Sequence, residues 1–168
     1  MAIVNGHRFR SNSATFTRPA DTTDYTAGDL VANSVTAASV VPLTWLVAPR
    51  PQVYTRIRLH KSTGSVTNAA FRIHLYGASP VVATNGDNAA YATDVANSAD
   101  WLGSFDGTFL AGHSDGAAIN CLPTGNSPRS DYITAMPATA YGLVEALGAY
   151  TPGNAEIFIA TLFSEFDR

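Results

Sequence analysis

Val53-Tyr54-Thr55-Arg56-Ile57-Arg58-Leu59-His60-Lys61 and Phe71-Arg72-Ile73-His74-Leu75-Tyr76 alternate with a period of two, the signature of a half-buried β-strand. The alternation places Val53, Thr55, Ile57 and Leu59 on one face of the first segment, and Phe71, Ile73 and Leu75 on the inward face of the second. Arg56, Arg58, His60, Arg72, His74 and Tyr76 then point the other way. The polar stretch Ser62–Asn68 between the segments reads as a hairpin-type loop, so the two are expected to pair antiparallel. Their outward side chains would then form one basic, aromatic-bordered sheet face.

Further strands are expected at Ser13–Thr17, Leu30–Asn33, Val40–Val47, Ser104–Leu110, Ala138–Leu147 and Glu156–Phe163, about eight in all with Pro, Gly, Asn and Asp punctuation between them. Pro42 demotes the start of the third of these to an edge or bulge. Gly142 suggests a bulge in Ala138–Leu147, for which helix is the competing assignment. Glu156–Phe163 is apolar on both faces, as a central covered strand would be. The fold class expected is all-β: an antiparallel β-sandwich, jelly-roll-like, with long loops and an N-terminal arm. Residues 1–29 would form the arm and a signature loop, and residues 30–168 a single β-sandwich domain. A short helix over Asn88–Asn97 could be capped by Asp87. Ala78–Asp100 and Gly112–Asp131 read as long excursions, and loops of about twenty residues are rare in compact domains unless they bind something.

Composition narrows the functional classes. The chain of 168 residues is 46% hydrophobic but only 14% charged, well below the usual ~25%. A surface poor in charge suits a protein that is covered in an assembly, because charges are depleted at interface cores. Net charge is −3, which argues against nucleic acid as a partner of the whole chain. Among ten basic side chains only Lys61 is a lysine, and arginine favours bidentate ion pairs at interfaces. Cys121 is the single cysteine; it excludes an intrachain disulfide, and its apolar setting reads as a buried, inert thiol. No stretch approaches the ~18 apolar residues that span a bilayer, so no membrane association is expected. The N-terminal residues lack the basic start and apolar run of a secretory signal, which points to synthesis and use in the producing cytoplasm or in a particle assembled there.

Chemical motifs are weak. Gly112-His113-Ser114-Asp115-Gly116 matches the nucleophile elbow of α/β-hydrolases, but no histidine follows it and no helix signal succeeds it. Turn chemistry is the better reading. His7, His60, His74 and His113 lack metal-ligand spacing, and Asn85-Gly86-Asp87-Asn88 has the oxygens but not the spaced carboxylates of a calcium loop. The expectation is therefore no enzyme, no catalytic residue, no metal and no cofactor.

Thr17–Asn33 is too polar for core and too specific for a linker. Arg18-Pro19 excludes helix, Tyr25 supplies an amphipathic anchor, and Gly28-Asp29 reads as a turn feeding Leu30-Val31-Ala32. Arg18-Pro19-Ala20-Asp21-Thr22-Thr23-x-Tyr25-x-x-Gly28-Asp29 resembles the N-terminal signature of a group of tailed-bacteriophage virion proteins, small head-decoration or cement proteins among them. Gly86–Tyr91, Trp101-Leu102-Gly103 and Ala149-Tyr150-Thr151-Pro152 resemble further blocks of that group. The resemblance implies a non-enzymatic component on the outer surface of the virion head, made in the bacterial host cytoplasm. Its partner would be the major capsid protein, bound by a homo-oligomer, a dimer or trimer. Arg8, Arg10, Arg18 and Tyr25 of the arm, and Arg56, Arg58, Arg72 and Tyr76 of the basic face, are the candidate partner-binding residues. The alternative is a carbohydrate- or receptor-binding β-sandwich module of a phage tail fibre, with Trp45, Trp101 and Tyr91 exposed to stack on sugars.

Overall fold

A computed structural model describes residues 8–47, 51–82, 86–124, 133–135 and 138–166. Its strands are β1 (Arg8–Thr17), β2 (Leu30–Val31), β3 (Leu43–Leu46), β4 (Gln52–Lys61), β5 (Ala70–Tyr76), β6 (Trp101–Thr108), β7 (Gly112–His113), β8 (Gly116–Pro123), β9 (Ile133–Ala135), β10 (Thr139–Ala146) and β11 (Ile157–Phe166). Helical structure among the described residues is limited to single 3-10 turns at Ala37–Ser39 and Val95–Ala99. No helix among them is long and apolar enough to cross a membrane.

The chain is all-β and every strand pairing is antiparallel. The strands follow the order β1-β11-β4-β8-β6-β5-β10-β2 in one sheet, with β3 also on β10, β7 on β8 and β9 on β4. This sheet curls into a half-barrel. The curl turns at β8, whose residues Ala117–Cys121 pair with β4 while Leu122 and Pro123 pair with β6. Pairings nest: β1 with β11, β3 with β10, β4 with β8, β5 with β6. Near the two free edges, Asn12 Nδ2 of β1 donates to the Leu46 carbonyl of β3 at 2.7 Å.

Curling brings two walls face to face, and the core lies between them. Ile57 and Leu59 of β4 and Phe158, Ala160 and Leu162 of β11 share a cluster with Phe71, Ile73 and Leu75 of β5 and Val144 of β10. Phe71 is the hub, presenting or receiving ring edges at 5.9 Å from Phe109, 5.4 Å from Tyr150 and 5.5 Å from Phe158. Trp45 is completely buried and spans the walls, donating Nε1–H to the Ala160 carbonyl at 2.9 Å. Gly142 makes room for it, because a Cβ there would stand 2.7 Å from the Trp45 ring. Gly142→Ala is therefore expected to cost about 1–3 kcal/mol through overpacking. An unchanged denaturant midpoint would show that the indole can shift at no cost.

Several expectations change. The predicted hairpin does not form: β4 pairs with β11, β8 and β9, whereas β5 pairs with β6 and β10, so the two alternating segments lie on opposite walls. Alternation within β4 also breaks. A register shift between Phe163 and Ser164 of β11 puts two β4 residues against one, so Tyr54 rather than Val53 and Thr55 points inward, as a β-bulge requires. No bulge occurs at Gly142: the register with β5 runs through it unbroken, and the ladder with β3 ends there. The predicted helix over Asn88–Asn97 is replaced by the 3-10 turn at Val95–Ala99, and Asp87 caps nothing. Gly112–Asp131 is not a loop as far as it is described: it contains β7 and the corner strand β8. The Gly-x-Ser-x-Gly match is the β7–β8 hairpin, with His113 opposite Gly116 across the Ser114-Asp115 turn. A nucleophile elbow needs strand–turn–helix, so this motif is turn chemistry.

Candidate functional site

The arm is not a free extension. Arg8–Thr17 pairs along its whole length with β11; residues 1–7 lie outside the described residues. Arg8 and Arg10 are exposed at its start. The signature loop that follows is laced to this chain's own segment 146–156, with Arg18 N donating to Glu156 O at 3.0 Å, Tyr25 N to Tyr150 O at 3.0 Å and Gly28 N to Ala146 O at 2.8 Å.

Arg18 and Tyr25 are consequently buried, not displayed. Asp87 receives both: Arg18 Nη2 donates to Oδ2 at 2.8 Å, Tyr25 OH to Oδ1 at 2.6 Å, and the Ala32 amide to Oδ1 at 2.7 Å. Arg18 Nε also donates to the Tyr25 hydroxyl, and the guanidinium lies 4.7 Å from the ring centroid. Burial pulls the Arg18 pKa down, but the interactions with Tyr25 and Asp87 outweigh it and the net shift is upward. For Tyr25, burial dominates and Asp87 adds to it, pushing the phenol far above its ordinary value. Two charges taken from water persist only when each is fully hydrogen-bonded. The signature therefore encodes an internal clamp joining the 18–25 loop, the β2 end and the 86–91 loop. This corrects the expectation that Arg18 and Tyr25 reach a partner.

A second buried pair lies beside the first, across the stacked rings of Tyr25 and Tyr150, whose centroids are 6.4 Å apart. Lys61 Nζ donates to Tyr150 OH at 3.0 Å, to the Thr63 carbonyl at 2.8 Å and to Glu156 Oε1 at 3.3 Å, and both charged side chains are fully buried. Burial lowers the Lys61 pKa despite the opposing pull of Glu156. The only lysine is thus structural.

The predicted basic face is split by the curl. Arg56 and Arg58 stand exposed on the outer face of β4, and neither makes an ion pair among the described residues. Arg56 stacks over Phe163 of β11 at 4.2 Å. By register Arg58 faces Thr161 of β11, which in turn faces Ser13 of β1. This outer wall of β1, β11 and β4 also carries Phe9, 76% exposed, and Ile157, 39% exposed. On the opposite wall Arg72 is neutralised by a bidentate bond to Asp106, at 2.8 Å for both arms. Tyr76 points outward as expected but is buried beneath the 78–100 excursion, beside Leu30, Val82 and Leu143. One wall is covered by the chain itself, and the other is bare.

The covering excursion leaves a cleft of about 250 Å³ lined by His74, Tyr76, Tyr91, Thr93, Ser98 and Trp101. His74 Nε2 is 2.8 Å from Glu145 Oε2, and its ring stacks on Tyr91 with centroids 4.3 Å apart. The Tyr91 and Tyr76 hydroxyls hydrogen-bond to each other. Burial, reinforced by Tyr76, raises the Tyr91 pKa well above its ordinary value. Trp101 Nε1 is buried without a hydrogen-bond partner among the described residues. Ser98 Oγ donates to the Val95 carbonyl at 2.7 Å, so its hydroxyl hydrogen is turned to its own 3-10 turn. Trp45 belongs to the core, correcting its expected exposure, whereas Trp101 and Tyr91 are half-buried at this cleft.

Elsewhere the titratable groups offer little chemistry. Cys121 is fully buried and its thiol is pushed up to about 12 by burial, with Asp106 adding to the shift, which leaves no thiolate at neutral pH. His60 and His74 lie on opposite walls and cannot share a ligand. No group of three His, Cys, Asp or Glu side chains arranged for a metal occurs among the described residues; Asn85 of the calcium-loop match and His7 lie outside them. No protein-family model matches this sequence, and none of the curated proteins matches it.

Proposed function

We propose that this chain is a non-enzymatic structural component of a tailed-bacteriophage virion, a head-decoration or cement protein that binds the major capsid protein on the outer surface of the head. The observation that carries the reading is the bare β1–β11–β4 wall. It presents Arg56 and Arg58 without counter-ions among the described residues, next to exposed Phe9 and Ile157. Arginine and aromatic side chains are favoured interface anchors, and a basic patch on a chain of net charge −3 fits an acidic partner surface. Arg8 and Arg10, exposed at the start of β1, alternate with Phe9 and so point to the other face of the strand, Arg10 opposite the buried Ser164.

In this reading the half-barrel is a jelly-roll-like sandwich, with β1-β11-β4-β8 as one sheet and β3-β10-β5-β6 as the other. The nested pairing supports it, and jelly rolls serve both capsid and lectin domains, an argument from fold analogy. A dimer or trimer would multiply weak contacts with several lattice neighbours. A ligand that binds only the assembled lattice stabilises it by RT ln(1 + [L]/Kd) per site.

The test is addition of purified protein to bare and expanded capsids, followed by thermal melting of the particles. The reading expects a raised capsid melting temperature, lost in Arg56→Glu/Arg58→Glu while that variant's own unfolding stays within about 0.5 kcal/mol of the parent, as surface changes do. Failure of the parent protein to bind either capsid form ends the proposal.

A further inference from the structure

The two walls of the curled sheet carry opposite, unpaired charges on their outer sides. We propose that a second copy of this chain docks its acidic 78–100 excursion on the bare β1–β11–β4 wall, head to tail. On the wall, Arg56 and Arg58 are exposed and make no ion pair among the described residues. By register they stand beside Phe163 and Thr161 of β11, with Ile157 exposed further along the same strand. Glu165 faces Phe9 at the far end of this wall and pairs with neither arginine. On the excursion, Asp94 and Asp100 bracket the 3-10 turn Val95–Ala99. Both are exposed, and neither makes an ion pair among the described residues. Apolar surface adjoins them: Val95 is 89% exposed, and Val81, whose carbonyl accepts the Asp94 amide at 3.2 Å, is 57% exposed. Asp24 and Asp115 are exposed too, but each stands singly, with no exposed large apolar side chain within two residues.

Charge decides which surfaces meet. Wall against wall sets arginines on arginines, and excursion against excursion sets aspartates on aspartates; both arrangements cost like-charge repulsion. Wall against excursion brings two arginines to two aspartates and covers Val81 and Val95. Six residues of about 2 Å rise put the aspartates ~12 Å apart. Two residues of about 3.3 Å put the arginines ~7 Å apart, a difference that the long guanidinium arms can span. The two surfaces lie back to back, because the excursion covers Tyr76 on the outer side of β5 and β4 belongs to the other wall. A contact between two different surfaces is heterologous, so a pair leaves one wall and one excursion free and further copies can add.

This gives the wall assigned above to the capsid a second occupant, so self-association and capsid binding exclude each other there. The inference itself is tested on the isolated protein by analytical ultracentrifugation. The weight-average mass of the parent should rise with concentration up to about 1 mM. It should rise less at about 1 M salt than at about 0.1 M, where screening is weaker. Arg56→Gln/Arg58→Gln and Asp94→Asn/Asp100→Asn should each weaken association about tenfold or more. Their unfolding midpoints should match the parent's, as surface changes allow; the Asp94 side chain makes no capping bond that could be lost. A 1:1 mixture of the two variants joins the intact excursion of the first to the intact wall of the second. It should form heterodimers as tight as the parent contact, and growth should stop at two chains. A parent that stays monomeric, parent-like association in either variant alone, or a mixture no tighter than its components each overturns the inference. Asp94→Asn/Asp100→Asn keeps the wall, so under the capsid reading it still raises the capsid melting temperature; failure there, with self-association behaving as expected, ends that reading alone.

Discussion

Asp87→Ala is expected to destabilise this protein by about 3–5 kcal/mol, the cost of leaving a buried charge without its partner. The substitution strips the fully buried Arg18 guanidinium of its 2.8 Å ion pair and removes the acceptor of Tyr25 OH and of the Ala32 amide. Among the described residues the only counter-charge left to Arg18 is Asp21, whose carboxylate is 3.4 Å away and 35% exposed. Such a loss takes a large share of the ~5–15 kcal/mol by which a domain is stable. Urea unfolding monitored by far-ultraviolet circular dichroism measures it. Arg18→Met/Asp87→Leu removes both charges together and should recover much of the loss, since a buried pair is often replaceable by apolar groups. A loss below about 1 kcal/mol in the single variant would mean that water reaches the clamp.

Alkaline pH should unfold the chain steeply. Tyr25, Tyr54 and Tyr150 are fully buried and Tyr91 is half-buried. Burial is the largest cause of the raised pKa of each. A group whose folded pKa lies above its unfolded value contributes stability that is complete below the unfolded value, about 10 for tyrosine, and is lost as pH rises past it. Each such tyrosine then removes up to ~1.4 kcal/mol per pH unit, and four together approach ~5 kcal/mol per unit. Cys121, with its thiol near 12, acts in the same direction from about pH 8.5 upward. Lys61 opposes them: its lowered pKa means the unfolded chain holds a proton that the folded chain sheds, so its contribution improves as pH rises toward about 10.4. One lysine does not offset four phenols. Circular dichroism and tyrosinate absorbance should change together in one cooperative step between about pH 10 and 12. Tyr54→Phe should move the midpoint upward, because the Tyr54 hydroxyl is buried with no partner among the described residues. Gradual tyrosinate formation in a chain that keeps its β signal would contradict this account.

How far the molecule could be read from its sequence depended on the range of the interactions. Alternation identified β4 and β5 as strands, because side-chain direction is a property of adjacent residues. It does not identify their partners, and the two do not pair with each other. Antiparallel partners are chosen by burial across the sheet, and the Ser62–Asn68 connection crosses between walls instead of turning back in one. The corner strand β8 leaves no such trace, because its sequence, Gly-Ala-Ala-Ile-Asn-Cys-Leu-Pro, has weak strand propensity and is held by neighbours on both sides. Arg18 and Tyr25 are distinctive in the sequence, but the direction in which they point is not local information. Their acceptor Asp87 is 69 residues from Arg18, and no local pattern signals a partner at that range.

The sequence by itself determined the all-β character, the inert Cys121 and the turn nature of the Gly-x-Ser-x-Gly motif, since each follows from residue type and near neighbours. Tertiary structure alone decided which charges are surface and which are core. Curling the sheet sends Arg18 and Lys61 inside, where desolvation is tolerated only by complete hydrogen bonding. It neutralises Arg72 against Asp106 and leaves Arg56 and Arg58 on a bare wall. Alternation fixes only that a side chain points to one face; what that face meets is set by how the strands wrap.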